Sequence, residues 1–463
     1  MDIKLFYDRG TIVLETNTPL SVPYFFKFDE RIGKFRALAI YYPQALRYFS
    51  SKGYKVVDKV LDLVRGSLYS RLKLRLRNYQ KEALNRWLER GSRGVVVLPT
   101  GAGKTIVALA AIEYHKCPTL IIVPTLDLMD QWEVKIREYF RTTIGRYGGG
   151  RHDIGFITIS TYDSAYINAE ILGNKFKLLV FDEVHHLPSS GYRQIAELSA
   201  APYRLGLTAT PEREDGLHED LPYLTGAVVY RRSTKDLSGR YLADFDIVTI
   251  RVRLTKEERK KYRELVDSYN RCFEKYGIKL KTIRDFEKLV MKSAINRELR
   301  EALLAWHEAR RIAFNARGKI EVLRELLRKH RGDKIIIFTE DNEMVRRISE
   351  EFLVPEITHK TDSEERKLIL RGFKNGDFKV IVTSRVLEEG VDVPDANVAI
   401  VLSGTGSRRQ YIQRLGRVLR PKRGKAILYE LVTSGTKEIK ISKRRKRELG
   451  EDSVTDKPAN SKN

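Results

Sequence analysis

Across 463 residues, 86 Lys and Arg stand against 61 Asp and Glu, a net charge of +25, and 42% of the residues are hydrophobic. Such a chain can bury full cores, which excludes a disordered protein and suits three domains, with two or four also open. Two cysteines, Cys117 and Cys272, exclude a disulfide framework and a four-cysteine zinc or iron–sulfur site.

The excess positive charge would attract a polyanion. Nucleic acid comes first among partners, and a ribosome-associated or heat-adapted surface is the alternative. The start, Met1 to Gly10, carries Asp2, Lys4, Asp8 and Arg9 and so lacks the apolar core of a signal peptide. No run reaches the roughly 18 apolar residues of a membrane span. A soluble protein of a reducing compartment is expected, cytoplasmic or, in a eukaryotic source, nuclear, with no membrane partner.

In chain order, residues 1–65 read as a small α+β unit: Ile3 to Tyr7 and Ile12 to Leu14 flank the turn Asp8-Arg9-Gly10, and a helix is expected over Pro43 to Ser51. Its aromatics, Tyr24, Phe25, Phe26, Phe28, Phe35, Tyr41, Tyr42, Tyr48 and Phe49, could stack on bases, but most are expected to form its core. Over 66–240, β-rich runs alternate with helical segments: Gly94 to Leu98, Thr119 to Val123, Ile154 to Ile159, Lys177 to Phe181 and Arg204 to Leu207. That alternation predicts an α/β fold with a buried parallel sheet.

The first of these runs enters Leu98-Pro99-Thr100-Gly101-Ala102-Gly103-Lys104-Thr105 and then a helix. Strand, glycine-rich turn and helix start make a phosphate cradle: backbone N–H groups converge on phosphates, Lys104 reaches the β- and γ-phosphates, and Thr105 can ligate Mg²⁺. Leu98 departs from the strict pattern, which has glycine there. The run Leu178 to Phe181 ends in Asp182-Glu183-Val184-His185-His186 and places two carboxylates at the carboxyl edge of the sheet. Asp182 would hold Mg²⁺ through water, and Glu183 would polarise the attacking water. A solvated acidic helix start is the alternative, disfavoured so soon after a phosphate loop. No HExxH spacing makes the histidines a metal site; His185 is expected to couple lobes and His186 to be structural.

From 256 to 317 the β pattern stops and a charged helical insert is expected, with 17 Lys and Arg against 10 Asp and Glu. Strand runs resume over 318–450 with Lys334 to Phe338, Lys379 to Thr383, Val398 to Leu402 and Lys425 to Glu430, predicting a second α/β lobe. Within it, Gln413, Arg417 and Arg420 fall at helical i, i+4 and i+7 on one face. One face can reach one phosphate, so these side chains would act as arginine fingers; a basic helix on nucleic-acid backbone is the alternative. The polar residues 451–463 are expected to be disordered.

This set resembles the superfamily 2 helicases and translocases over roughly 70–450, and the fold it implies is two RecA-like lobes. By that resemblance Gln80, with Arg77, in Leu76-Arg77-Asn78-Tyr79-Gln80 would recognise the base of ATP. Leu207-Thr208-Ala209-Thr210 matches the motif that couples hydrolysis to strand movement. Pro124-Thr125 and Ser160-Thr161-Tyr162 match nucleic-acid backbone contacts of the first lobe. In Val382-Thr383-Ser384-Arg385 and Glu388-Glu389-Gly390-Val391-Asp392, Thr383 would meet nucleic-acid backbone, and Gly390 and Asp392 the nucleotide.

A closer resemblance is to the XPB family in its compact archaeal form. Arg213-Glu214-Asp215, directly after Pro211-Glu212, is similar to that family's Arg-Glu-Asp wedge, although a charged loop reads the same way alone. The insert sits where the family carries its thumb, and residues 1–65 where it carries its damage-recognition domain. The basic run Lys443-Arg444-Arg445-Lys446-Arg447 fits too, and also reads as a solvated helix end or a nuclear signal. The resemblance implies ATP and Mg²⁺, 3′ to 5′ action on forked, damaged or duplex DNA in excision repair or transcription, and a nuclease partner protein. A duplex translocase without strand separation, an RNA helicase and a non-catalytic clamp are the alternatives.

Overall fold

Short, fully buried apolar runs become the central strands of the molecule. A computed structural model describes residues 2–16, 20–213, 215–237, 245–280, 283–384, 396–403, 426–447 and 456–458. The chain divides into two units, Met1–Asp236 and Leu237–Asn463.

The first unit opens with a five-stranded sheet in the order Lys27–Asp29, Lys34–Leu38, Thr11–Glu15, Asp2–Asp8, Lys55–Lys59. The last pair is parallel and the rest antiparallel. The reversal at Arg9-Gly10 uses positive φ at both residues, as a two-residue hairpin turn requires. Helix Tyr42–Ser51 closes a core of Ile3, Leu5, Ile12, Leu14, Ala45 and Phe49. Of the nine aromatics, Phe26, Tyr42 and Phe49 are buried in this core and Phe25, Phe35 and Tyr48 pack partly buried against it, whereas Tyr24 and Phe28 are exposed. This sheet is seated on the next one, where Tyr7 Oη donates to the Leu198 carbonyl (3.0 Å) and the Asp62 N–H to Asn174 (3.0 Å).

The next sheet has eight strands in the order Arg151–His152, Ile144–Gly148, Ile157–Thr161, Thr119–Val123, Leu178–Asp182, Tyr203–Thr208, Arg93–Val97, Val228–Arg231. Every pairing is parallel except that of the first two strands. The register sets Asp182 opposite Leu207, Thr208 opposite Val97 and Thr161 opposite Val123, so the carboxyl ends of the strands share one edge. Arg204 is fully buried and donates to the carbonyls of Ser199, Ala201 and Leu224, which ties its strand to the helix Leu221–Leu224.

Among the described residues the second unit carries a sheet of seven parallel strands in the order Glu356–Ile357, Val380–Thr383, Ile335–Phe338, Val398–Val401, Ala426–Thr433, Phe245–Val252, Asp456–Pro458. Phe245–Val252 precedes the helical segment, so helices Lys256–Lys275, Ile283–Ile295 and Arg297–Phe314 interrupt this sheet's sequence between its first strand and the rest. They have their own core of Tyr262, Tyr269, Phe273, Leu289, Leu299 and Phe314. The stretch 451–463, expected to be disordered, corrects in part: Asp456–Pro458 pairs with Thr249–Arg251. An edge strand's free N–H and C=O groups accept another strand whatever its side chains, and composition does not register that. Among the described residues no helix is long and apolar enough to cross a membrane, and no group of three or more His, Cys, Asp and Glu is gathered as a metal cage.

Candidate nucleotide and metal site

The first unit's strand edge gathers the site. After strand Arg93–Val97 the chain turns through Gly101 (φ 81°) and Gly103 (φ 78°) into helix Lys104–His115. Positive φ at both positions suits glycine and turns the loop's backbone toward the helix N-terminus. The loop is braced from helix Asn78–Glu89: Tyr79 Oη donates to the Ala102 carbonyl (2.7 Å), and Gln80 Nε2 to those of Ala102 (3.0 Å) and Gly103 (3.3 Å). Gln80 Oε1 accepts from the Arg77 N–H at 2.9 Å, so its carboxamide ties the helix start to the loop while the residue lines the adjoining pocket. Lys104 is buried and donates to the Leu98 carbonyl (3.4 Å), and Thr105 follows it in the helix.

Opposite stand the two carboxylates. Glu183 has φ 49° and ψ 55°, a left-handed conformation costly for a side-chain-bearing residue, and its Oε1 lies 3.9 Å from Lys104 Nζ. Its Oε2 accepts from Thr208 Oγ1 (3.4 Å) and lies 3.4 Å from His185 Nδ1. The Thr210 carbonyl, 3.0 Å from the same Oγ1, competes with Glu183 for its single proton. Asp182 is buried; its Oδ2 accepts from Trp132 Nε1 (2.9 Å) and its Oδ1 from the Glu183 N–H (3.1 Å). Burial, then the neighbouring Glu183 carboxylate, pushes its pKa up to about 6, against the pull of Lys104.

These groups fit a metal–nucleotide complex. Thr100 Oγ1 is buried beside the loop without a hydrogen-bond partner, as a hydroxyl awaiting a phosphate would be. A pocket of about 520 Å³ adjoins the loop, lined by Leu72, Lys73, Arg75, Arg77, Ile106 and Tyr139 besides Gln80 and Gly101–Gly103. That pocket can take a base, and three cations at its wall suit an anion.

The expected nucleic-acid residues are placed unevenly. Thr161 ends its strand and Thr125 follows two residues after Val123; both cap helices, accepting from the N–H groups of Ser164 (3.2 Å) and Leu128 (3.3 Å), and Pro124 sits beside Thr125. Thr383 is fully buried, its hydroxyl donating to the Ser384 carbonyl (2.9 Å). Arg213 folds back on the acidic loop: Nη1 donates to the His185 carbonyl (2.7 Å), while Nε and Nη2 grip Asp215 (2.9 and 2.6 Å). That grip holds the Asp215 carboxyl down at about 2. His185 thus links Glu183, Thr208 and Arg213 within the first unit. Glu214, Arg385, Glu388, Glu389, Gly390, Val391, Asp392, Gln413, Arg417 and Arg420 lie outside the described residues.

Sequence reasoning passed over Trp132, gave Tyr79 no role of its own, and read Tyr162 only within a nucleic-acid contact motif, whereas Tyr162 Oη donates to the Asp182 carbonyl at 3.0 Å. Trp132 repeats with Met129 and Ile136 at the spacing of an apolar helix face, so its spacing signals only core.

Family models match in three places: Type III restriction enzyme, res subunit, over 73–213; the ERCC3/RAD25/XPB C-terminal helicase over 306–454; and the Xeroderma pigmentosum group B helicase damage recognition domain over 5–60. The DNA 3′-5′ translocase XPB2 of Sulfurisphaera tokodaii is 48% identical over 444 residues, covering 96% of this chain and 100% of that protein. The chain belongs to the XPB family. The Mycobacterium tuberculosis DNA 3′-5′ helicase XPB is 32% identical over 81% of this chain, and this XPB-family chain spans 64% of that relative's length. The Pyrococcus furiosus Hef helicase domain superposes with a TM-score of 0.54 at 20% identity over 80% of this chain and 98% of that one, a likeness of fold.

Proposed function

We propose that the chain is an ATP-dependent DNA 3′ to 5′ helicase or translocase acting in excision repair or transcription. One observation carries the reading: Lys104 and Glu183, 3.9 Å apart, and a buried Asp182 meet at the edge where the phosphate loop opens. Loop N–H groups and Lys104 would bind the triphosphate, Thr105 and Asp182 would hold Mg²⁺, and the pocket beside Arg77 would take the base. Mg²⁺ there would neutralise charge on the β- and γ-phosphates. Glu183, oriented by Thr208 and His185, would accept the proton of the attacking water, and its state would reach Arg213 through His185 and the Thr210 loop. Gln413, Arg417 and Arg420 are proposed to stabilise the charge that develops on the γ-phosphate, and Gly390 and Asp392 to line the nucleotide.

We assign DNA backbone to Pro124, Thr125, Thr161 and Thr383, and the junction of forked DNA to Arg213, Glu214 and Asp215. Residues 1–65 are assigned to damage recognition and 256–317 to a thumb. A nuclease partner is proposed on the family likeness. Translocation without strand separation is the second reading, favoured because the relative at 48% identity is named a translocase. Triplex displacement against forked-duplex unwinding separates the two.

Lys104→Ala or Glu183→Gln should each lower DNA-stimulated phosphate release by roughly 10²-fold or more and leave DNA binding near wild type. Turnover at the wild-type rate in both would remove the assignment.

A further inference from the structure

Helix Leu126–Tyr139 meets the proposed machinery at three points. Its N-cap is Thr125, at the edge assigned to nucleic-acid backbone. Midway, Trp132, 1% exposed, donates its indole N–H to Asp182 Oδ2 at 2.9 Å. Its last residue, Tyr139, lines the pocket beside the phosphate loop. Fourteen residues at about 1.5 Å each make a rod some 20 Å long.

The Asp182 carboxylate is therefore held by two N–H groups from different elements, Glu183 of its own strand end and Trp132 of this helix. A tryptophan needed only as apolar filling could give its N–H to any carbonyl. Here it goes to a carboxylate assigned to a metal. The donor is also neutral: it stabilises a buried negative charge and fixes its rotamer without placing a cation where a divalent ion must sit. A helix shift of about 1 Å would stretch this contact beyond hydrogen-bonding range.

We infer that Trp132 is a positioning residue, which orients the metal-binding carboxylate of Asp182 and relays nucleic-acid engagement at Pro124 and Thr125 to it through the helix. The inference rests on the proposed reading of Asp182 as a metal ligand.

Mn²⁺ binding, followed by electron paramagnetic resonance with ADP present and with or without duplex DNA, tests it apart from turnover. Two changes are made at position 132: Trp132→Phe, and site-specific replacement by 3-benzothienylalanine, which keeps the ring shape and puts sulfur in place of N–H. Both should weaken Mn²⁺ binding about tenfold and abolish the effect of DNA on it. The Mg²⁺ concentration for half-maximal ATP hydrolysis should rise in parallel, with kcat restored at saturating Mg²⁺, which a loss of packing would not produce. Unchanged Mn²⁺ affinity in the benzothienyl protein would overturn the inference, and weakened affinity with the DNA effect intact would overturn the relay. Asp182→Asn separates the failures. If it abolishes Mn²⁺ binding while position 132 has no influence, only the role of Trp132 falls; if the unaltered protein binds no Mn²⁺ with ADP, the nucleotide reading falls with it.

Discussion

Asp182 shows how burial tunes a single carboxylate. Its carboxyl is raised from 3.8 to about 6, first by desolvation and then by Glu183. A folded-state pKa above the unfolded one favours the fold most below the unfolded value, and that contribution is lost as pH rises through about 6. In EDTA the wild-type protein should therefore lose stability from this group between roughly pH 4 and pH 7. Asp182→Asn should lack that slope and, at pH 7, resist urea better than wild type by up to about 3 kcal/mol, the equivalent of two pKa units. With Mg²⁺ and ADP the proposed site predicts the reverse order, because a carboxylate can hold the ion and a carboxamide holds it poorly. Urea melts at the two pH values, with and without Mg²⁺–ADP, decide it; a wild-type slope in the Asn variant would show that Asp182 is not the group that titrates.

At the scale of the element, the phosphate loop depends on one backbone conformation. A Cβ at Gly103, φ 78°, would stand 2.6 Å from Gln80 Nε2. Gly103→Ala should cost about 1–2 kcal/mol of left-handed strain and push Gln80 off the Ala102 carbonyl. ATP-analogue affinity, read by calorimetry, should fall tenfold or more, and near wild-type affinity would mean the loop does not bind in this shape. The loop was legible in the sequence because strand, turn and helix are contiguous, and the two carboxylates because a buried apolar run ends on them. Fully buried strands such as Thr119–Val123 and Leu178–Asp182 announce themselves by uninterrupted apolar residues. Ile144–Gly148, with Gly145, Arg146 and Gly148 among its five residues, carries no such run, and the half-exposed edge strand Val228–Arg231 has only three apolar residues before Arg231. Likewise Gln80, expected to read a base, also braces the loop, and Trp132 reaches Asp182 across 50 positions; no local pattern encodes a hydrogen bond between distant elements.

At the scale of the molecule, two units imply two unfolding equilibria rather than one. Each offers a mark of its own. In the second unit Lys319 is fully buried, donating to both oxygens of Glu438 (2.9 Å each) and to the Leu402 carbonyl (2.6 Å). Burial raises the Glu438 carboxyl while Lys319 opposes it, so the pair is balanced, and removing one member strands the other charge. Lys319→Met should lower the stability of the second unit by about 3–5 kcal/mol, and Lys319→Met with Glu438→Leu should recover most of that loss. Hydrogen exchange read by mass spectrometry locates the effect: Lys319→Met should speed exchange in strands Ile335–Phe338 and Ala426–Thr433 and spare Thr119–Val123 and Leu178–Asp182, whereas Gly103→Ala should do the reverse. If either variant loosened both sets of strands equally, the units would fold as one, and the proposed nucleotide site could not be altered without disturbing the unit that carries the helical insert.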